Sequence, residues 1–148
     1  REIDYLLQAK SAACMVMIAR PGLGLNTATA HHVGGLYDVP HGEANAILLP
    51  HTMRFNLDAC ADRQALIARA MGIDTSGMTD LDAGMAAADG VHKLCRTLEL
   101  PERLRDVGVP EEGLELIAAA TLHDRGLATN PKPVNDSGPI MTVLREAW

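Results

Sequence analysis

Apolar residues recur along this chain at three- and four-residue steps, and no apolar/polar alternation survives beyond about four residues. That periodicity commits the chain to helices packed on helices, because a half-buried strand needs a repeat of two. The aromatic content points the same way. Tyr5, Tyr37, Phe55 and Trp148 are the whole set, so Leu, Ile, Met, Val and Ala must fill the core. The fold class expected is all-α, a helical bundle forming one domain over residues 1–148.

Punctuation divides the pattern into elements. Ile3, Leu6, Leu7, Ala13, Val16 and Met17 mark a first buried helix, stopped by Pro21-Gly22. A short helical turn is predicted across Ala28 to Val33, ended by Gly34-Gly35. Pro40 fits the first turn of the next helix, which runs through Glu43, Ala46 and Leu49 and should kink at Pro50. Asp58 can cap a helix to about Met71, with Gly72 just past its end. Thr79 caps the most amphipathic segment, whose predicted inward stripe is Leu81, Met85, Ala88, His92, Cys95 and Leu98. Pro101 to Val109 reads as a loop with one turn. Pro110 with Glu111-Glu112 opens a helix with the stripe Leu114, Ile117, Ala118 and Thr121. Asn130-Pro131-Lys132-Pro133 is extended linker, and Ile140 to Ala147 closes as a short helix.

Charge and cysteine usage exclude several classes of function. A net charge of −6 and a pI near 5.4 argue against nucleic acid as a partner, which requires a clustered positive field. The longest apolar run, Ala12 to Ala19, is far too short to span a bilayer, and no signal-peptide pattern is present. Cys14, Cys60 and Cys95 are odd in number and lie in apolar helical patterns, as free thiols do in a reducing cytoplasm. The chain opens on Arg1 in a pattern that is already helical, so a piece of a longer protein is expected.

The stretch from Asn26 to Gly42 holds three of the six histidines, His31, His32 and His41, between glycines and a proline. Imidazole suits metal ligation and proton transfer near neutral pH. A complete metal site needs three or four converging ligands, and neither an HExxH nor a DxxxH pattern supplies them. His31 and His32 leave a helix on different sides, so at most one of them joins any site. Gly22-Leu23-Gly24 follows a helix and lacks both a third glycine and a Gly-Lys-Ser/Thr sequence. It therefore reads as a glycine pair allowing tight helix crossing and positive φ rather than a phosphate loop. His51, His92 and His123 read as lone histidines satisfied by packing or solvent.

Residues Gly22 to Asn56 carry a longer pattern. Gly22-Leu23-Gly24, Ala30-His31, Gly34, Pro40-His41-Gly42, Asn45-Ala46, Leu48-Leu49-Pro50 and Asn56 fall in register with a signature of the iron-containing (group III) alcohol dehydrogenases. That signature reads approximately G-L-G-x-x-H-A-x-A-H-x-x-G-x-x-x-x-x-P-H-G-x-x-N-A-x-L-L-P-x-x-x-x-x-N. Ala128-Thr129-Asn130-Pro131-Lys132-Pro133 resembles the same family's linker before its last helix.

The resemblance implies a two-domain oxidoreductase interconverting a small alcohol and its aldehyde or ketone. In such an enzyme an N-terminal Rossmann-like domain, expected upstream of Arg1, binds NAD or NADP. The helical C-terminal domain holds one Fe2+ or Zn2+ through one Asp and three His, of which the Asp and the first His belong to a D-x-x-x-H helix expected upstream of Arg1, and the subunits form homo-oligomers. Carried over, His41 is a metal ligand and His31 is the proton-relay residue. Thr27 stands where the family has another ligand histidine. A threonine hydroxyl is a poor neutral ligand beside imidazole, so metal binding is expected to be weak or absent. Gly34, Gly35 and Gly42 would let backbone approach cofactor or metal, with Tyr37 and Asp38 as pocket wall. Two alternatives accompany this reading. One is a metal-independent enzyme like the maleylacetate reductases, against which Pro40-His41-Gly42-Glu43-Ala44-Asn45 looks more like the alcohol dehydrogenase version. The other is a degenerate, non-catalytic helical module for oligomerisation or partner binding, and without a dinucleotide-binding segment the chain alone is expected to be inactive.

Overall fold

The structure, a computed structural model, describes residues 24–148. The first predicted helix, with Cys14, lies outside those residues. Five α-helices follow: α1 (Gly24–Tyr37), α2 (His41–Ala70), α3 (Asp80–Thr97), α4 (Leu114–Leu122) and α5 (Ser137–Ala147). Short 3-10 turns at Leu104–Val107, Glu111–Gly113 and Arg125–Thr129 join them, and no strand occurs among the described residues. None of the described helices is long and apolar enough to cross a membrane.

Helix α2 is the spine, because it belongs to two cores. Its first half places Ala44, Ile47 and Leu48 against Leu25, Ala30 and Val33 of α1, Ile117 of α4, and Ile140 and Leu144 of α5. Its second half places Ala65, Ile67 and Ala68 against Ala83, Ala87, Ala88 and Val91 of α3. The predicted stripe of α4 is correct, with Leu114, Ile117, Ala118 and Thr121 all buried.

Three expectations are corrected. Helix α1 does not stop at Gly34-Gly35 but runs on to Tyr37 and ends at Asp38, which adopts a left-handed φ of 55°. A glycine pair destabilises a helix by only about 1 kcal/mol per residue, and burial of Val33 beside it, with Tyr37 packed on the core, outweighs that. Helix α2 carries Pro50 inside and loses helical dihedrals at Cys60 instead (φ −149°, ψ 36°). There the Cys60 thiol donates to the Asn56 carbonyl, 3.2 Å away. Finally, α3 buries Ala83, Gly84, Ala87, Ala88 and Val91, whereas Leu81, Met85 and Leu98 are exposed. Small side chains let α3 approach α2 closely, so contact selects the Ala/Gly face over the face with the larger apolar residues.

The helix ends follow local chemistry. Thr79 Oγ1 accepts the Asp82 backbone N–H at 3.1 Å, and Asp136 Oδ1 accepts that of Gly138 at 2.8 Å. Helices α2 and α3 finish in the same Schellman hydrogen-bond pattern, Ile73 N–H to Ala68 O with Gly72 N–H to Arg69 O, and Leu100 N–H to Cys95 O with Glu99 N–H to Arg96 O. Gly72 takes the left-handed position in the first at φ 78°; Glu99 occupies it in the second at φ 55°.

Candidate active site

The left-handed turn at Asp38, with buried Val39 behind it, reverses the chain between α1 and α2. Asp38 N–H donates to Gly34 O at 3.0 Å, and a Cβ on Gly34 would lie 3.2 Å from the Val39 carbonyl, so the turn closes tightly over the end of α1. The reversal brings His31 against His41. Their rings stack with centroids 5.4 Å apart and planes 24° from parallel, and both residues are exposed. Thr27 is half-buried and stands one helical turn before His31 on the same face of α1. His32 leaves the other side of the helix and lies 3.2 Å from Asp124 Oδ2.

The glycines and Tyr37 sit around this turn in different ways. Gly35 and Gly42 are exposed with open space about them. Tyr37 is half-buried and its ring covers Gly113, where a Cβ would run into the phenol. Asp38 is exposed.

A polar network underlies the pair. Asn45, only 7% exposed, donates from Nδ2 to the His41 carbonyl at 2.8 Å. Asn26 Nδ2 donates to Asn45 Oδ1 at 2.7 Å, and Thr52 Oγ1 lies 3.3 Å from Asn26 Oδ1. Sequence reasoning assigned no role to these three. Their signal was an asparagine and a threonine at inward positions of a largely apolar helix.

A second amide cluster braces the start of α1. Asn130 and Asn56 exchange side-chain hydrogen bonds of 2.7 and 3.0 Å. Asn130 Oδ1 also accepts the Leu25 backbone N–H at 3.0 Å, and its Nδ2 donates to Lys132 O at 2.7 Å. Gly24 is needed here, with φ 56° and a would-be Cβ 3.3 Å from Asn130 Oδ1. Lys132 completes the brace with an ion pair to Asp58 at 2.9 Å and its ammonium over the Phe55 ring at 4.9 Å.

Among the described residues, no group of three or more His, Cys, Asp or Glu side chains could hold a metal ion. By themselves the described residues therefore supply no complete metal centre. A small pocket lined by Pro50, His92, Cys95 and Glu102 lies elsewhere, between α2 and α3.

Residues 3–148 match the C-terminal family model of the Fe-containing alcohol dehydrogenases. The chain belongs to that family. It is 45% identical over 127 residues to lactaldehyde reductase of Escherichia coli K12, a match covering 86% of this chain and 33% of the relative. It is 34% identical over 111 residues to NAD-dependent methanol dehydrogenase of Bacillus methanolicus, covering 75% of this chain and 29% of the relative. A crystal structure of 1,3-propanediol oxidoreductase superposes with a TM-score of 0.81 at 39% identity, over 84% of this chain and 32% of that one. The chain thus spans about a third of the length of the relatives it matches, and it corresponds to the helical C-terminal part of this alcohol dehydrogenase family.

The remaining histidines are placed apart from the pair. His123 is exposed at the end of α4, and His92 lies 3.4 Å from Glu102. His51 is half-buried, its side chain 12% exposed, with Nδ1 3.9 Å from Glu146 Oε2. Burial, then the charges of Arg54, His92 and Arg103, push its pKa from 6.5 to about 4. The folded state therefore refuses a proton that the unfolded chain accepts. The contribution is complete above pH 6.5 and is lost as pH falls towards 4. Between pH 7 and 4.5 the urea midpoint should fall by an amount worth about 2 kcal/mol, and His51→Gln should flatten that dependence. An equally steep dependence in the variant would assign it to other groups.

Proposed function

We propose that this chain is the C-terminal part of an NAD(P)-dependent oxidoreductase that interconverts a small alcohol and its carbonyl compound. The observation carrying this reading is the stacked His31–His41 pair at positions in register with the family signature. The relatives' names, a lactaldehyde reductase and an NAD-dependent methanol dehydrogenase, supply the substrate class and the nicotinamide. The dinucleotide is held by an N-terminal domain outside this chain. His31 takes the alcohol proton on oxidation and returns it on reduction, work that a neutral imidazole performs near physiological pH. His41 is the surviving metal-position residue, and the backbone at Gly35 and Gly42 leaves the turn open.

Thr27 weakens any metal site of which His41 is part. The full-length protein, purified without added metal and dialysed, is expected to hold well below one equivalent of iron or zinc. Thr27→His should raise the retained metal several-fold, read by elemental analysis. Stoichiometric metal in the unaltered protein would contradict this. The activity itself is tested by NAD+ and NADP+ reduction with 1,2- and 1,3-diols and short primary alcohols. No alcohol-dependent reduction by the full-length protein would leave the non-catalytic helical module as the better reading.

A further inference from the structure

We infer that Asn45 and Asn26 are positioning residues for the histidine pair, holding His41 against His31 through the protein rather than through a bound metal. The inference rests on the functional reading above. The geometry gives Asn45 an unusual task. Its backbone lies one turn into α2, and its side chain turns back along the helix to donate to the carbonyl of His41, four residues earlier and 2.8 Å away. That carbonyl belongs to the residue whose ring stacks on His31. The other end of the Asn45 amide accepts from Asn26, five residues before His31 on α1, at 2.7 Å. Each helix thus carries one stacked imidazole and one amide, and the amide pair crosses the same helix junction as the ring pair.

The network lies deeper than the rings, with Asn45 and Thr52 buried and Asn26 half-buried. Asn45 and Thr52 are 7% and 2% exposed, whereas His31 and His41 lie at the surface. Buried amides in a low-dielectric setting hold a fixed geometry, because breaking them leaves unpaired polar atoms. Exposed stacked rings supply little restraint of their own. The register of α1 against the start of α2 is therefore set by the amides, and the ring spacing follows from it. This matters where Thr27 replaces an imidazole, since a weakly held metal cannot draw the two helices together.

The test uses the full-length protein with Asn45→Asp, which keeps the acceptor for Asn26 but turns a donor into a carboxylate against the His41 carbonyl. Asn26→Ala, which removes the other arm, serves as the second variant. Both are expected to lower kcat about tenfold or more, with KM for the nicotinamide within twofold, as a displaced reacting group does. Ring-proton NMR on histidine-labelled protein should show the His31–His41 cross-peak weakened or lost. A kept cross-peak and unchanged kcat in a variant of lowered Tm would overturn the inference and leave the amides as fold-stabilising only. If the unaltered protein is inactive, the functional reading fails, and the cross-peak alone decides whether the amides position the rings.

Discussion

Replacing His31 with alanine in the full-length protein should reduce kcat by about 10²- to 10³-fold, the usual contribution of a positioned proton-transfer group. The loss should appear without unfolding. His31 is exposed on α1 and its ring contact is with His41, so its truncation removes little buried surface. Nicotinamide affinity should stay within twofold, because the proposed role lies at the alcohol and not at the dinucleotide. Two readouts separate proton transfer from packing. Added imidazole should restore part of the activity of the alanine variant, and the dependence of kcat on pH should change shape. Full activity in His31→Ala would remove His31 from the mechanism and shift attention to the non-catalytic reading.

The second large effect concerns stability. Asn130→Ala removes four hydrogen bonds at once, to Leu25 N–H, to both ends of the Asn56 amide, and to Lys132 O. At roughly 1 kcal/mol net for each, less where water re-enters, the expected loss is about 3 kcal/mol by chemical denaturation. The Asn56 amide is then left half-buried without its partner, which adds to the cost. Asn130→Asp is the informative companion. It keeps the acceptor for Leu25 N–H and sets a negative charge at the positive end of α1, worth about 0.5 kcal/mol. It also turns an oxygen against the oxygens of Asn56 and Lys132, so a smaller loss of about 1–2 kcal/mol is expected. A loss under 0.5 kcal/mol for Asn130→Ala would mean that Lys132, through Asp58 and Phe55, fastens the linker unaided.

Much of the candidate site is legible in the residues. The in-register match names His31, His41 and the departure at Thr27, and it carries Asn45, Asn56 and Asn130 as landmarks without saying what they do. What those asparagines do is decided by side-chain contact, which for Asn56 and Asn130 spans 74 residues of sequence. Spacing along one chain cannot encode such a pairing.

The helical class, the stripe of α4 and the cap at Thr79 follow from sequence, because each depends on neighbours within a few residues. The choices that local pattern leaves undecided were settled by packing between segments. Val33 and Tyr37 carry α1 past its glycines, α3 buries alanine and glycine in place of leucine and methionine, and α2 loses its helical dihedrals at Cys60 rather than at Pro50. In α1 and α3 the packing of these side chains against neighbouring helices outweighs local propensity, which costs α1 about 1 kcal/mol per glycine, whereas at Cys60 the contact seen is the local one to the Asn56 carbonyl. The stacking of His31 on His41 is of the same kind. Sequence supplies two imidazoles on either side of a turn, and the left-handed Asp38 with the amides beneath brings them face to face.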